Sequence, residues 1–210
     1  MRDEVREFKR DRILAETMRL FYARGFQGAS IDAIAESLNV TKPFIYSYFQ
    51  NKHALLEALY ERVAVSLNSG VDKIMSSGLA PGETLRQLVE FYVRENVENR
   101  ELTAIFLNEE RNLSEERVVQ LREQNRSFDH KLTNLIREGV KTGVFVVEDS
   151  SVASMSISGM VRWVHRWFNP AGRLEVDDLC RQMSTLALNL VGYSEAVPRK
   201  SRRPTRSVSA

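Results

Sequence analysis

Residues 12–59 read RILAETMRLFYARGFQGASIDAIAESLNVTKPFIYSYFQNKHALLEAL, and this stretch decides the fold. Its apolar residues recur at helical spacing. Ile13, Leu14, Met18, Leu20 and Phe21 form a broad face on a helix predicted over 8–24, which Gly25 ends. Ser30 offers a side-chain oxygen to cap a short helix over 31–38. Asn39 and Val40 turn the chain. Thr41 then caps a third helix over 42–49, with Pro43 in the first turn, where a missing N–H costs little. Asn51 precedes a longer helix over 53–75. Three short helices, the last two joined by a tight turn, read as a helix-turn-helix. Ile34, Ala35, Leu38 and Val40 bury one face of the second helix, and Ile45 and Phe49, one turn apart, hold the third against it. The other face of the third helix shows Thr41, Lys42, Phe44, Tyr46, Ser47 and Tyr48. Hydroxyls and lysines grip phosphates, and an apolar ring meets a thymine methyl in the major groove.

Beyond this stretch, breakers at 76–82 separate it from further helices predicted over 83–98, 101–109, 114–142, 150–168 and 175–191. The expectation is an all-α protein of about nine helices. Residues 1–55 form a DNA reader, 56–192 a second helical domain, and 193–210 a Ser/Arg/Pro-rich tail that reads as disordered. The strand-like run 144–147 is too short to build a sheet.

The 48 residues of the opening stretch resemble the DNA-binding domain of TetR-type repressors. The matching pieces are Ile13-Leu14, Leu20-Phe21, Gly25-Phe26, Ser30-Ile31, Ile34-Ala35, Val40-Thr41-Lys42, Tyr46-x-Tyr48-Phe49 and Lys52-x-x-Leu55. One departure is Glu16-Thr17, where the family often has Ala-Ala. The resemblance implies an all-α homodimer with a larger C-terminal ligand-binding and dimerisation domain. It places Ser30, Thr41, Lys42, Phe44, Tyr46, Tyr48 and Lys52 at DNA-contacting positions. Tyr46 and Lys52 are assigned to phosphate, Lys42 and Phe44 to base edges, and Ser30 to a phosphate at a helix N-terminus. Tyr48 reads equally as a packing residue, and His53 as an exposed helix-start residue. Arg10 and Arg12 either touch phosphate or stay solvated.

Two further runs, 106–145 and 159–193, are similar to C-terminal domains of TetR-type regulators of lipid, steroid and aromatic-acid catabolism. Trp163, Trp167, Pro170, Gly172 and Leu174 carry the second likeness. Several such regulators respond to acyl-coenzyme A thioesters, so the resemblance implies such an effector for this chain. A thioester needs an apolar cavity for its acyl arm and cations for its phosphates. Phe91, Leu102, Phe106, Ile136, Met160 and Trp163 are candidate lining residues, with Leu132 beside them. Arg94, Arg111, Arg122 and Arg126 are candidate phosphate partners, the last two sharing a helical face at i and i+4. Core packing and surface ion pairs give the same patterns. The helices near 150–168 and 175–191 are the expected dimer elements, with Leu179, Met183, Leu186 and Leu190 as the apolar stripe.

Composition narrows the remaining choices. With 30 Lys+Arg and 28 Asp+Glu the net charge is +2. In the tail, five basic residues against Glu195 give +4; residues 1–55 carry +2 and residues 56–192 carry −4. Near-neutrality of the body argues against a sequence-independent architectural DNA protein, which needs many phosphate contacts. There is no nucleophile elbow, phosphate-binding Gly-rich loop, HExxH or paired-carboxylate context, so no catalytic residues are assigned. His53, His130 and His165 share no ligand spacing, so no metal or cofactor is expected. Cys180 is the single cysteine, which excludes an internal disulfide. A charged N-terminus and the lack of any apolar run of about 20 residues point to a cytoplasmic protein without membrane contact. The leading expectation is a repressor released from palindromic operator DNA by an acyl-coenzyme A. The alternative is a sensor of a hydrophobic drug or phenolic compound controlling efflux. In either case the two readers of a dimer must reach successive major grooves, about 34–36 Å apart. The 53–75 helix joins the domains and is the expected transmitter.

Overall fold

The computed structural model describes residues 2–194, apart from the side chain of Phe106. The tail expected to be disordered lies, from residue 195 onward, outside the described residues. All regular structure among the described residues is helical, as expected. It comprises α1 (Arg2–Gly28), α2 (Ile31–Ser37), α3 (Lys42–Tyr46), α4 (Lys52–Met75), α5 (Pro81–Glu98) and α6 (Arg100–Asn108). A 3-10 turn (Glu110–Asn112) leads to α7 (Glu115–Thr142), α8 (Ser150–Arg162), α9 (Val164–Trp167) and α10 (Val176–Leu190).

Local side chains start several of these helices. Ser30, Thr41, Asn51 and Ser114 each accept a backbone N–H three residues ahead, and Asp149 accepts those of Ser151 and Val152. Each bond satisfies an amide that the first helical turn leaves without a partner. Gly143 ends α7 in the left-handed region (φ 79), a conformation glycine reaches without a Cβ penalty. The following segment is not a strand. Val146 N–H donates to the Val191 carbonyl at 2.8 Å, and Ser194 N–H to that of Val144 at 3.1 Å, tying it to the end of α10.

Two apolar cores organise the chain. The first unites Ile13, Leu14, Phe21 and Phe26 of α1 with Ile34, Ile45, Phe49, Leu55, Leu56 and Leu59. It also takes Leu102 and Ile105 from α6 and Leu121 from α7, so the reader's core is completed by residues far along the chain. The second joins α5, α7, α8 and α10 through Leu85, Val93, Leu132, Ile136, Ile157, Met183 and Ala187.

Three elements differ from expectation, the first being α3, which ends at Tyr46 rather than near residue 49. Helix α1 begins at Arg2 rather than near residue 8, so a charged extension precedes its buried part. The helix expected over 150–168 breaks at Trp163. At the break, Asn96 Nδ2 donates to the Val161 carbonyl at 3.0 Å, engaging an acceptor that a continuous helix would use itself.

Candidate nucleic-acid interface and effector cavity

The reader exposes α3 between the cap of α2 and the start of α4. Ser30 and Thr41 are N-caps whose hydroxyls accept the N–H groups of Ala33 (3.1 Å) and Phe44 (3.4 Å). Lys42 Nζ donates to Asp32 Oδ2 at 2.9 Å, and this bond pushes the lysine's pKa up. Tyr46 is exposed. Phe44 and Tyr48 are half-buried, with ring centroids 5.3 Å apart, and both pack on the first core.

Lys52, expected on phosphate, is engaged within the protein. Its ammonium donates to the carbonyls of Phe26 (2.8 Å) and Ala29 (3.1 Å) and lies 4.4 Å from the centroid of the Phe26 ring. It locks the start of α4 to the loop between α1 and α2. That loop forms because Gly25 adopts φ 69 and ψ 167, which only glycine holds without strain.

The kink at Gly25 frees the Phe26 N–H from the helical ladder. Glu109, at the end of α6, accepts it through Oε1 at 3.0 Å. Glu109 Oε2 accepts from Asn112 at 2.7 Å, and Asn112 Oδ1 accepts from Gln27 at 3.1 Å. The Tyr60 hydroxyl donates to the Ile105 carbonyl at 3.3 Å, and burial pushes its pKa up. Helix α6 is therefore fastened to the reader at both α1 and α4.

The same helix walls a cavity of about 470 Å³. Arg62 and Ser66 of α4, Tyr92, Glu95 and Asn96 of α5, Leu102, Thr103 and Leu107 of α6, Asn125 of α7 and Arg162 of α8 surround it. Arg62 pairs with Asp11 of α1 at 3.6 Å. Arg162 lies toward the second core, 3.5 Å from Asp129 and over the Phe128 ring. Burial pushes the Tyr92 phenol's pKa up. Asn96 is buried with its Nδ2 engaged by Val161.

Of the residues expected to bind a ligand, Leu102 lines this cavity. Arg94 instead pairs with Asp177 (2.5 Å) of α10 and Glu98 (3.3 Å). Arg122 and Arg126 point outward from α7, and Arg111 is exposed in the 3-10 turn. Phe91 meets α4 at Gly70, Ile136 is fully buried in the second core, and Met160 packs on that core. Trp163 is 59% exposed. The expected Phe106 side chain lies outside the described set. The lining residues Arg62, Tyr92, Asn96, Asn125 and Arg162 were missed. One signal pointed to Asn96: it falls in phase with Leu85, Leu88, Val89, Tyr92 and Val93, a polar residue on a buried stripe.

Known proteins bear on both parts of the chain. Residues 13–59 match the family described as "Bacterial regulatory proteins, tetR family", and residues 78–191 match "Tetracyclin repressor-like, C-terminal domain". The chain belongs to the TetR family. It is 25% identical to the HTH-type transcriptional repressor KstR2 of Rhodococcus jostii, over 86% of this chain and 90% of that protein. The crystal structure of the TetR-family regulator PfmR from Thermus thermophilus superposes with a TM-score of 0.78 at 26% identity, covering 84% of this chain and 97% of that one. AibR, solved in complex with isovaleryl coenzyme A and operator DNA, superposes at 0.74 with 25% identity, over 87% and 97%. This TetR-family chain is thus a ligand-responsive, DNA-binding transcription regulator with an amino-terminal helix-turn-helix. No described helix is long and apolar enough to cross a membrane.

Proposed function

We propose that this TetR-family protein is a repressor that leaves its operator when an acyl-coenzyme A thioester enters the cavity. One observation carries the reading: α6 both walls the cavity and completes the reader's core. Leu102, Thr103 and Leu107 face the ligand space, while Leu102 and Ile105 pack among the reader's apolar residues. A ligand that displaces α6 must move α1 through Glu109. Occupancy then favours a conformer with another reader spacing and lowers operator affinity by population shift. Helix α4 remains a second route, because Arg62 lines the cavity and its first turn holds the loop at Phe26.

The cavity's polarity supports the thioester over a purely apolar drug. Three asparagines, Glu95, Thr103 and two arginines stand among its lining residues. Such a wall suits the amides of a pantetheine arm, and Arg62 and Arg162 suit phosphate or carbonyl oxygens. AibR, solved with isovaleryl coenzyme A, shares the fold over 87% of this chain.

The reading includes a homodimer formed through α8 and α10. Met155 (69% exposed), Trp163, Trp167 (52%) and Leu186 (53%) present a wide apolar surface there. Within the expected stripe, Leu179 and Met183 are buried inside the protomer, leaving Leu186 and Leu190 for a partner.

The test is to select an operator from random duplex DNA and titrate the complex in a gel-shift assay. Short-chain acyl-coenzyme A is expected to release the DNA, with free coenzyme A weaker. Release by phenolic compounds, with none by any thioester, would replace this effector with the efflux-type one.

A further inference from the structure

The extension of α1 before its buried part carries the inference. Residues 2–9 are exposed, and none of them belongs to either core. Five of the nine basic residues in positions 1–55 lie at Arg2, Arg6, Lys9, Arg10 and Arg12. At about 3.6 residues per turn, Arg2, Arg6 and Lys9 (i, i+4, i+7) share one face. Glu4, Glu7 and Asp11 (i, i+3, i+7) share another, nearly opposite. The charges of this extension are therefore sorted by side, although its net charge is only +1.

Contacts at its base fix how the helix is rotated. Lys9 Nζ lies 5.9 Å from the centroid of the Phe44 ring on α3, and Arg10 lies 5.5 Å from that of Phe49. Asp11 turns to α4, where it meets Arg62 at 3.6 Å. The basic face thus runs on the α3 side, and the acidic face turns toward α4. Acidic Asp3 and Glu4 in the first turn favour the helix by their place at its positive end. Among the described residues, Arg2, Arg6 and Lys9 form no ion pair or hydrogen bond, whereas Lys42 of α3 is paired with Asp32. Arg2 stands about 10 Å beyond Lys9 along the axis, at about 1.5 Å per residue.

We propose that the Arg2–Arg6–Lys9 face is a second DNA-contacting surface, which takes backbone phosphates flanking the groove that α3 reads. Its occupant is duplex DNA, its chemistry is cation to phosphate, and it reads no bases. The face supplies cations that the near-neutral reader otherwise lacks.

The salt dependence of operator binding by the full chain tests it. The R2Q/R6Q/K9Q variant is expected to lower the slope of log K against log salt by about 0.9 for each phosphate contact removed. Discrimination between operator and random duplex should stay as in the parent. The R122Q/R137Q/K141Q variant, with the same charge change on α7, should leave the slope unchanged. The R2K/R6K/K9R variant should retain it, which separates lost charge from a frayed helix. An equal fall for both neutral triples, no fall for the first, or loss in the charge-retaining variant would overturn the proposal. So would a loss of operator discrimination.

Discussion

Replacing Glu109 by Ala removes the acceptor that the Phe26 N–H uses at the Gly25 kink. The bond is 3.0 Å long, joins a carboxylate to a backbone amide, and is part-buried. A hydrogen bond to a charged group contributes about 1.5–3 kcal/mol when well shielded, and partial exposure places this one near the lower end. A loss of about 1.4 kcal/mol corresponds to a tenfold change in an equilibrium. Amide exchange at Phe26 should therefore quicken about tenfold in E109A, while Ile34, bonded to the Ser30 carbonyl at 3.1 Å inside α2, keeps its rate. E109Q retains one neutral oxygen and should fall between the two. Denaturant unfolding at fixed protomer concentration should show a smaller midpoint, since association contributes to stability. If α6 moves the reader through this bond, E109A should bind operator normally without effector and respond less to it. Unchanged Phe26 exchange in E109A would refute the reasoning, because Glu109 would then not be what protects that amide.

Lys52→Gln loses two carbonyl bonds and a ring contact, so thermal melting should report a loss of about 1–2 kcal/mol, with little change in the salt slope of DNA binding. Gly70→Ala places a Cβ 2.1 Å from the Phe91 ring; denaturant titration should show a cost of about 1–3 kcal/mol, largely relieved when Phe91 is also made Leu. Glu16 accepts from Arg19 and from Ser37 of α2, and the Arg19 bond foremost holds its carboxyl below the ordinary 4.5. Its stabilisation is present above that ordinary value and is lost as pH falls through the lower folded value. The stability gap between the parent and E16Q, about 1 kcal/mol at neutral pH, should therefore close in acid, as followed by circular dichroism.

The helices were legible wherever a cap or breaker is local. Ser30, Thr41, Ser114 and Gly143 act within a few residues of their own position, so their sequence context contains the whole cause. The break at Trp163 was not legible, because the carbonyl of Val161 beside it is engaged by Asn96, 65 residues away. The cavity failed for a related reason. Phe91, Arg94, Arg111, Arg122 and Arg126 were expected, and their neighbours Tyr92, Glu95, Glu110, Leu121 and Asn125 line the space. The expected residues sit on the elements that wall this cavity, one position away from the side that faces it. A step of one residue rotates a side chain about 100° around the helix. Periodicity fixes which residues share a face, but the packing of α4, α5, α6 and α7 against one another decides which face looks inward.

The reader's surface shows why its DNA-facing residues should not count equally. Ser30 and Thr41 already cap helices, Lys42 holds Asp32, Phe44 and Tyr48 hold each other, and Lys52 holds two carbonyls. Any of these that turns to DNA exchanges an existing interaction for a new one, so its net contribution is the difference between the two. The N-caps keep their helix bonds and can offer only a remaining lone pair or hydroxyl proton. Lys42 gives up an exposed pair of small value, so it loses little by moving. Lys52 would give up two carbonyl bonds beneath the reader, so it loses more than Lys42 by moving. Arg2 and Arg6 have no side-chain ion pair or hydrogen bond to exchange among the described residues, and Lys9 has only its contact with the Phe44 ring. A few lightly engaged cations held in phase by one helix then contribute more per residue than the more numerous side chains already hydrogen-bonded or capping. For a body whose total charge is close to zero, that difference separates binding of DNA from mere proximity to it.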